Sequence, residues 1–179
     1  MSPDTIEVGI FTIVATLSGV VVGGLVERLY RSWGRLWCEP SRCEVRYVAP
    51  DEMGGGTTLD PEEAGDNWGA EYAVGLDLYN GKEVPVGLRD ISVVISYGAG
   101  EKQFQSRPWD ATSGQFSYGR TTYATLALVN LAPRQWVRLE LLGNLDGAKT
   151  AKGWRKIEFV AERRGLFGAS EFRKVVASR

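Results

Sequence analysis

The sequence predicts a mainly β protein: one N-terminal transmembrane helix followed by an antiparallel β-sandwich of seven to nine strands. Three observations carry that expectation. Residues 8–26, VGIFTIVATLSGVVVGGLV, hold no charge and no proline; as a helix the run would be roughly 28 Å long, close to the hydrocarbon thickness of a bilayer. From Glu44 onward the pattern changes to short stretches of alternating apolar and polar residues, the period of a half-buried strand. Turn formers punctuate those stretches about every ten residues, and no second helical segment of useful length follows.

The chain has 179 residues and a net charge of −1, room for one domain and an anchor. The expected division is a short tail over 1–7, a transmembrane helix and juxtamembrane segment over 8–37, and the sandwich over 41–179. Balanced charge argues against a nucleic-acid partner. There is no histidine, which excludes Ser-His-Asp and Cys-His nucleophiles and the common His-containing zinc sites. No cofactor is expected.

Within the apolar run, Val8, Phe11, Leu17, Val21 and Leu25 mark the expected membrane anchor. A cleaved signal peptide needs a basic leader and a small-x-small site; here the leader is MSPDTIE and the run ends in ERLYR. A buried core helix of a soluble protein is shorter and carries a polar stripe. Arg28, Arg31, Arg35, Arg42 and Arg46 follow the run, and no Lys or Arg precedes it. The positive-inside rule then places the C-terminal domain in the cytoplasm of a single-pass cell-membrane protein. Tyr30, Trp33 and Trp37 stand where an aromatic belt belongs. Ala15, Gly19 and Gly23 share one helix face, a small-xxx-small pattern that lets two helices approach and form a homodimer. The plainer account is that glycine is common in membrane helices.

Residues 31–41, RSWGRLWCEPS, read as an interfacial turn breaking into the first strand. Cys38 and Cys43 form a lone C-x4-C, half a zinc site at most. Reduced structural thiols are expected in a cytoplasmic domain, and a small disulfide if the topology is inverted.

Glu44–Val48 is the first expected strand. A long loop then runs from Pro50 to Gly69 with Asp51, Glu52, Asp60, Glu62, Glu63 and Asp66. Its spacing lacks EF-hand order, so it reads as a solvated acidic loop. Glu71–Tyr79 alternates, with Tyr72, Val74, Leu76 and Leu78 on one face. Asn80-Gly81 is the clearest turn signal, and Pro85 implies an edge or kink. Asp90–Tyr97 alternates again, Gly98–Gly100 turns the chain, and Lys102–Ser106 is a short strand. Residues 107–121, RPWDATSGQFSYGRT, form the most site-like loop. Trp109, Phe116 and Tyr118 are candidates to stack on a sugar or a peptide; the plainer reading has them cover the open end of the core. Thr122–Leu131 reads as one strand, Ala132–Gln135 as a turn, and Trp136–Leu142 as a strand with Val137, Leu139 and Leu141 inward. Gly143–Gly147 turns, and Trp154–Ala161 and Phe172–Val176 close the series. The chain from Lys149 onward is basic, a surface for anionic lipid or a charge-protected strand edge.

Val74–Ile95, VGLDLYNGKEVPVGLRDISVVI, and Val129–Leu141, VNLAPRQWVRLEL, resemble bacterial immunoglobulin-like sandwiches. In those, a strand ends in Asn-x-Gly, a short edge segment carries x-Pro-Val, and a later Leu-x-Pro turn leads into a core strand. The layout is also similar to small single-pass membrane proteins of actinobacteria and their phages. The resemblance implies an immunoglobulin-like fold and an anchored layout, and it carries over no functional residues.

The expected function is a non-enzymatic, membrane-anchored interaction module that presents its cytoplasmic sandwich to a protein partner or to the membrane surface. Its partners are the lipid bilayer and a protein bound through loops or an exposed edge strand. Two alternatives stand beside it. One is an envelope- or carbohydrate-binding domain on the outer face, which needs the inverted topology. The other is a phage or prophage membrane protein acting in superinfection exclusion. A hydrolase would need a carboxylate pair, for which Asp110 and the acidic loop are the only candidates, at no supporting spacing.

Overall fold

The computed structural model describes residues 18–31, 33–50, 56–59, 69–97, 102–145, 154–165 and 168–179. Val8, Phe11, Ala15 and Leu17 of the expected anchor, the acids Asp51, Glu52, Asp60, Glu62, Glu63 and Asp66, and the expected turn at 98–100 lie outside the described residues. The strands are β1 (Leu36–Pro50), β2 (Gly56–Leu59), β3 (Gly69–Asn80), β4 (Val86–Tyr97), β5 (Lys102–Ser106), β6 (Trp109–Ser117), β7 (Arg120–Thr125), β8 (Leu128–Leu131), β9 (Trp136–Leu145), β10 (Trp154–Gly165) and β11 (Gly168–Ser178). They form two antiparallel sheets, one of six strands in the order β2-β1-β3-β9-β6-β7, the other in the order β11-β10-β4-β5 with β8 also on β4. β8 pairs with Val86–Arg89 and β5 with Val93–Tyr97, so the two lie end to end along one edge of β4.

Alternation builds the core between the sheets. Tyr72, Val74, Leu76 and Leu78 of β3 meet Ile91, Val93, Ile95 and Tyr97 of β4, all buried, as their spacing predicts. Leu139 and Leu141 of β9 and Ile157 and Phe159 of β10 complete it. Each of the larger side chains contributes about 1.5–3 kcal/mol on leaving water.

Several elements differ from expectation, each for a local reason. β1 begins at Leu36, so Cys38, Pro40 and Cys43 are sheet residues and Glu44–Val48 is only its later half. Its register shifts between Pro40 and Arg42, a bulge that tolerates the missing proline N–H. Gly75 lies opposite, where a Cβ would come within 2.6 Å of the Ser41 hydroxyl. The expected loop after Pro50 contains β2, which folds back on β1. Asn80-Gly81 is a turn but not a hairpin, because it carries the chain from β3 in one sheet to β4 in the other. Asn80 is buried there. Its amide donates to the carbonyls of Val84 (2.8 Å), Ala132 (3.0 Å) and Leu131 (3.2 Å), and its oxygen accepts from Lys82 N (3.1 Å). Residues 107–121 are not a loop: β6 and β7 form a hairpin. The single strand expected over 122–131 is two, with β7 in one sheet and β8 in the other. These additions bring the described strands to eleven rather than seven to nine. Gly143 and Leu145 extend β9 instead of turning, with the Tyr72 ring lying over Gly143 where a Cβ would overlap it.

Residues 18–31 form a helix, α1, whose side chains are all exposed. Among the described residues no helix is long and apolar enough to cross a membrane; the described part of the 8–26 run begins at Ser18. Val20, Val21, Val22, Leu25, Val26 and Leu29 are exposed around α1, so it packs against no part of the core. Its C-terminal end is nonetheless tied to the sandwich. Glu83 N donates to Arg31 O (3.2 Å) and Gly81 N to Arg35 O (3.0 Å). Gly34, at φ 123°, makes the crossing possible, since any side chain there would overlap the Gly81 carbonyl.

Candidate functional site

Two exposed surfaces stand out, and the first is the β6–β7 hairpin. Trp109 and Asp110 pair with Leu142 and Leu141 of β9, and beyond them β6 pairs only with β7. The departure is braced locally. Thr112 donates to Asp110 Oδ1 through its amide (2.9 Å) and hydroxyl (2.7 Å). The Ser113 hydroxyl donates to Asp110 O (2.6 Å) and accepts from Ala124 N (2.7 Å). Asp110 therefore serves the backbone of a bulge, and the acidic loop expected as its partner in a hydrolase lies outside the described residues except for β2.

The hairpin tip is Tyr118-Gly119, with φ of 50° and 75°, the two positive values of a type I′ turn. Asn or Gly favours the first position; a tyrosine there costs about 1–2 kcal/mol of backbone strain. Tyr118 recovers none of it by burial, being fully exposed, and Phe116 is 76% exposed. Neither covers the core. Trp109, at 37%, sits at the hairpin's root. Every residue of β7 is exposed, and β7 is the edge strand of its sheet. The three aromatics expected in one loop are thus spread from root to tip of a protruding hairpin, where Tyr123 of β7 joins them beside Gly114.

The second surface lies where α1 meets the sandwich. Trp37 pairs with Tyr79, and Tyr79 with Trp136, so three aromatic residues form a row across β1, β3 and β9. The Tyr79 and Trp136 rings stack at 4.7 Å. Trp37, expected in the juxtamembrane segment, belongs to this sheet row, while Tyr30 and Trp33 pack edge to face on each other, centroids 6.5 Å apart. Arg28 and Arg31 end α1, and Arg35 precedes β1; Arg31 pairs with Glu27. Tyr79 and Trp136 escaped the sequence reading because only strand register joins residues so far apart. Gly19 and Gly23 are open on α1, with nothing within 4 Å of a Cβ at either; Val21 and Leu25 are exposed nearby.

Cys38 and Cys43 are free thiols facing Leu78 and Val74 rungs of β3. Four rungs separate them by about 13 Å, too far for a disulfide or a shared metal. Burial pushes the Cys38 thiol up to about 11 and the Cys43 thiol upward as well, so both are poor nucleophiles. On the outer face of the second sheet, a depression of about 380 Å³ is lined by Asp90, Ser92, Gln105, Glu162, Ser170 and Glu171, among others. It holds carboxylates but no nucleophile paired with a base.

No curated protein matches the chain. The family model of the YopI Ig-like domain matches residues 34–166, from the glycine at the helix–sheet crossing to the end of β10. With two antiparallel sheets packed face to face over that span, the chain belongs to the YopI Ig-like domain family.

Proposed function

We propose that this protein is a non-enzymatic interaction module, anchored in the membrane by residues 8–26, that presents its β6–β7 hairpin to a protein partner in the cytoplasm. The observation that carries the partner reading is the hairpin tip, where Tyr118 is strained, aromatic and fully exposed. Strain kept without a packing return is characteristic of functional positions. The free edge of β7 supplies unpaired backbone donors and acceptors for strand addition, and the aromatics give side-chain contact area. An immunoglobulin-like family fits a binding rather than a catalytic role.

Support for anchoring comes from the helix. The described apolar side chains of that run, Val20, Val21, Val22, Leu25 and Val26, are exposed and need another apolar environment, and residues 8–26 have spanning length. The arginines behind it favour a cytoplasmic sandwich.

The test is co-purification from native membranes with full-length protein, comparing wild type with a Phe116→Ser/Tyr118→Asn variant. Loss of the partner with an unchanged thermal melt is expected; retention of the same partner would remove the hairpin from the reading. Topology needs a separate probe, because the native cysteines are buried or half-buried. Ser117→Cys at the hairpin tip should resist an impermeant thiol reagent in intact cells and react after lysis. Labelling from outside would instead favour the envelope-binding alternative, with Trp109, Phe116 and Tyr118 facing a sugar.

A further inference from the structure

The end of the sandwich next to α1 collects chain segments that are distant in sequence. Trp37 starts β1, Tyr79 ends β3 and Trp136 starts β9. Lys82 lies in the β3–β4 connection, and Arg163 pairs with Leu88 near the start of β4. Arg134 occupies the Ala132–Gln135 turn, closed by Gln135 N to Ala132 O at 3.3 Å. Its φ is 56°, so an arginine stands where a type II turn favours glycine or asparagine.

The outer face of the six-stranded sheet is graded from this end. The aromatic row comes first, with Trp136 at 61% exposure. The next row is Glu39, Asp77 and Arg138, with Arg138 Nε 2.8 Å from Asp77. Further along, Glu44 holds Arg42 and Arg46 at 2.9 and 3.1 Å. On these rows Asp77, Arg138, Arg42, Glu44 and Arg46 are thus paired within the sheet, and Glu39 is left as an acid. At the α1 end Arg31 pairs with Glu27 and Arg134 with Glu83, whereas Arg28, Arg35, Lys82 and Arg163 form no salt bridge among the described residues. Burial and the nearby Arg163 guanidinium push the Lys82 pKa down.

We propose that this end is a membrane seat, in which Trp33, Trp37 and Trp136 lie at the headgroup level and Arg35, Lys82 and Arg163 meet anionic lipid phosphates. Aromatic rings with one wet edge settle at that depth, and each cation near an anionic surface is attracted to it. The backbone bonds from Gly81 and Glu83 to the segment leaving α1 hold this end at the helix exit. The seat rests on the reading that residues 8–26 span the bilayer.

The experiment uses full-length protein in nanodiscs with bromine-labelled acyl chains, with and without phosphatidylglycerol in phosphatidylcholine. Three interfacial tryptophans should each carry roughly a third of the quenchable emission. Trp136→Phe, which keeps a ring on Tyr79, should lose its share, while Trp109→Phe should lose none. A melt of each variant confirms folding. Lys82→Gln/Arg163→Gln should reduce the Trp136 share in anionic discs only. Carbonate extraction separates the two readings. Protein that resists extraction but whose quenching ignores Trp136→Phe overturns the seat and leaves the anchor standing; that row then faces water or a protein. Quenching equal in both lipids overturns the phosphate contacts. Protein extracted by carbonate overturns the anchor and the seat together.

Discussion

Asn80 and Tyr118 both occupy turns, and their opposite environments give opposite expectations. Asn80 is buried at the crossing between the sheets and satisfies three carbonyls and one amide. Asn80→Ala should destabilise the protein by about 2–4 kcal/mol in a denaturant titration, because those groups lose their partner away from water. Tyr118 has no contact to lose. Tyr118→Asn should stabilise the fold by about 0.5–1 kcal/mol through relief of the left-handed backbone, while weakening partner capture. A variant that is both more stable and less active would mark Tyr118 as held for binding. Glu158 shows a third environment: it is buried on the outer face of its sheet beneath Lys156 (2.7 Å) and Arg173 (3.3 Å), so its charge is answered where solvent cannot reach it.

At the scale of elements, strands are held by what crosses between them. Tyr72 of β3 lies over Gly143 of β9, and its hydroxyl meets the Ser106 hydroxyl of β5 at 2.8 Å. Gly143→Ala should therefore cost about 1–3 kcal/mol by overpacking. The same change on a Tyr72→Val background should cost much less, and a double-mutant cycle by chemical denaturation measures the difference. Such contacts also explain what was legible in the sequence. β3 and β4 each have one buried face, so Tyr72–Leu78 and Ile91–Tyr97 displayed their period directly. The β6–β7 hairpin has almost no buried face, so its side chains obey no alternation, and RPWDATSGQFSYGRT looked like a loop. The start of β1 was hidden by Pro40 and Ser41, which interrupt the period at a bulge whose opposite residue, Gly75, carries no side chain. The break between β7 and β8 was invisible because a change of sheet leaves the local pattern of apolar residues unbroken. At the candidate site, Trp109, Phe116 and Tyr118 were visible as residue types, but their exposure and the row formed by Trp37, Tyr79 and Trp136 required the register.

At the scale of the whole molecule, the core is independent of α1. A chain lacking residues 1–30 should keep a cooperative melt at nearly the same temperature, and on the proposed anchoring it should no longer float with vesicles that carry the full-length protein. The core also sets an alkaline limit. Burial raises the Cys38 thiol to about 11 and the Tyr72 phenol to about 12, and pushes Cys43 and Tyr97 upward. The unfolded chain releases these protons first, so stability is intact below about pH 9 and falls as pH rises toward 11. Cys38→Ala should flatten the first part of that fall in melts across this range. The crossing at Gly34 has a different consequence. With Arg31 and Arg35 both bonded to the β3–β4 connection, the end of the helix is tied on two sides to the sandwich, which fixes its azimuth. One residue inserted into α1 between Gly23 and Arg31 would turn the face carrying Gly19 and Gly23 by about 100° relative to the sandwich. Any pairing of two chains through the Gly19 and Gly23 face would therefore set the compass bearing of both hairpins, and a one-residue insertion would point them elsewhere without altering a single contact within either.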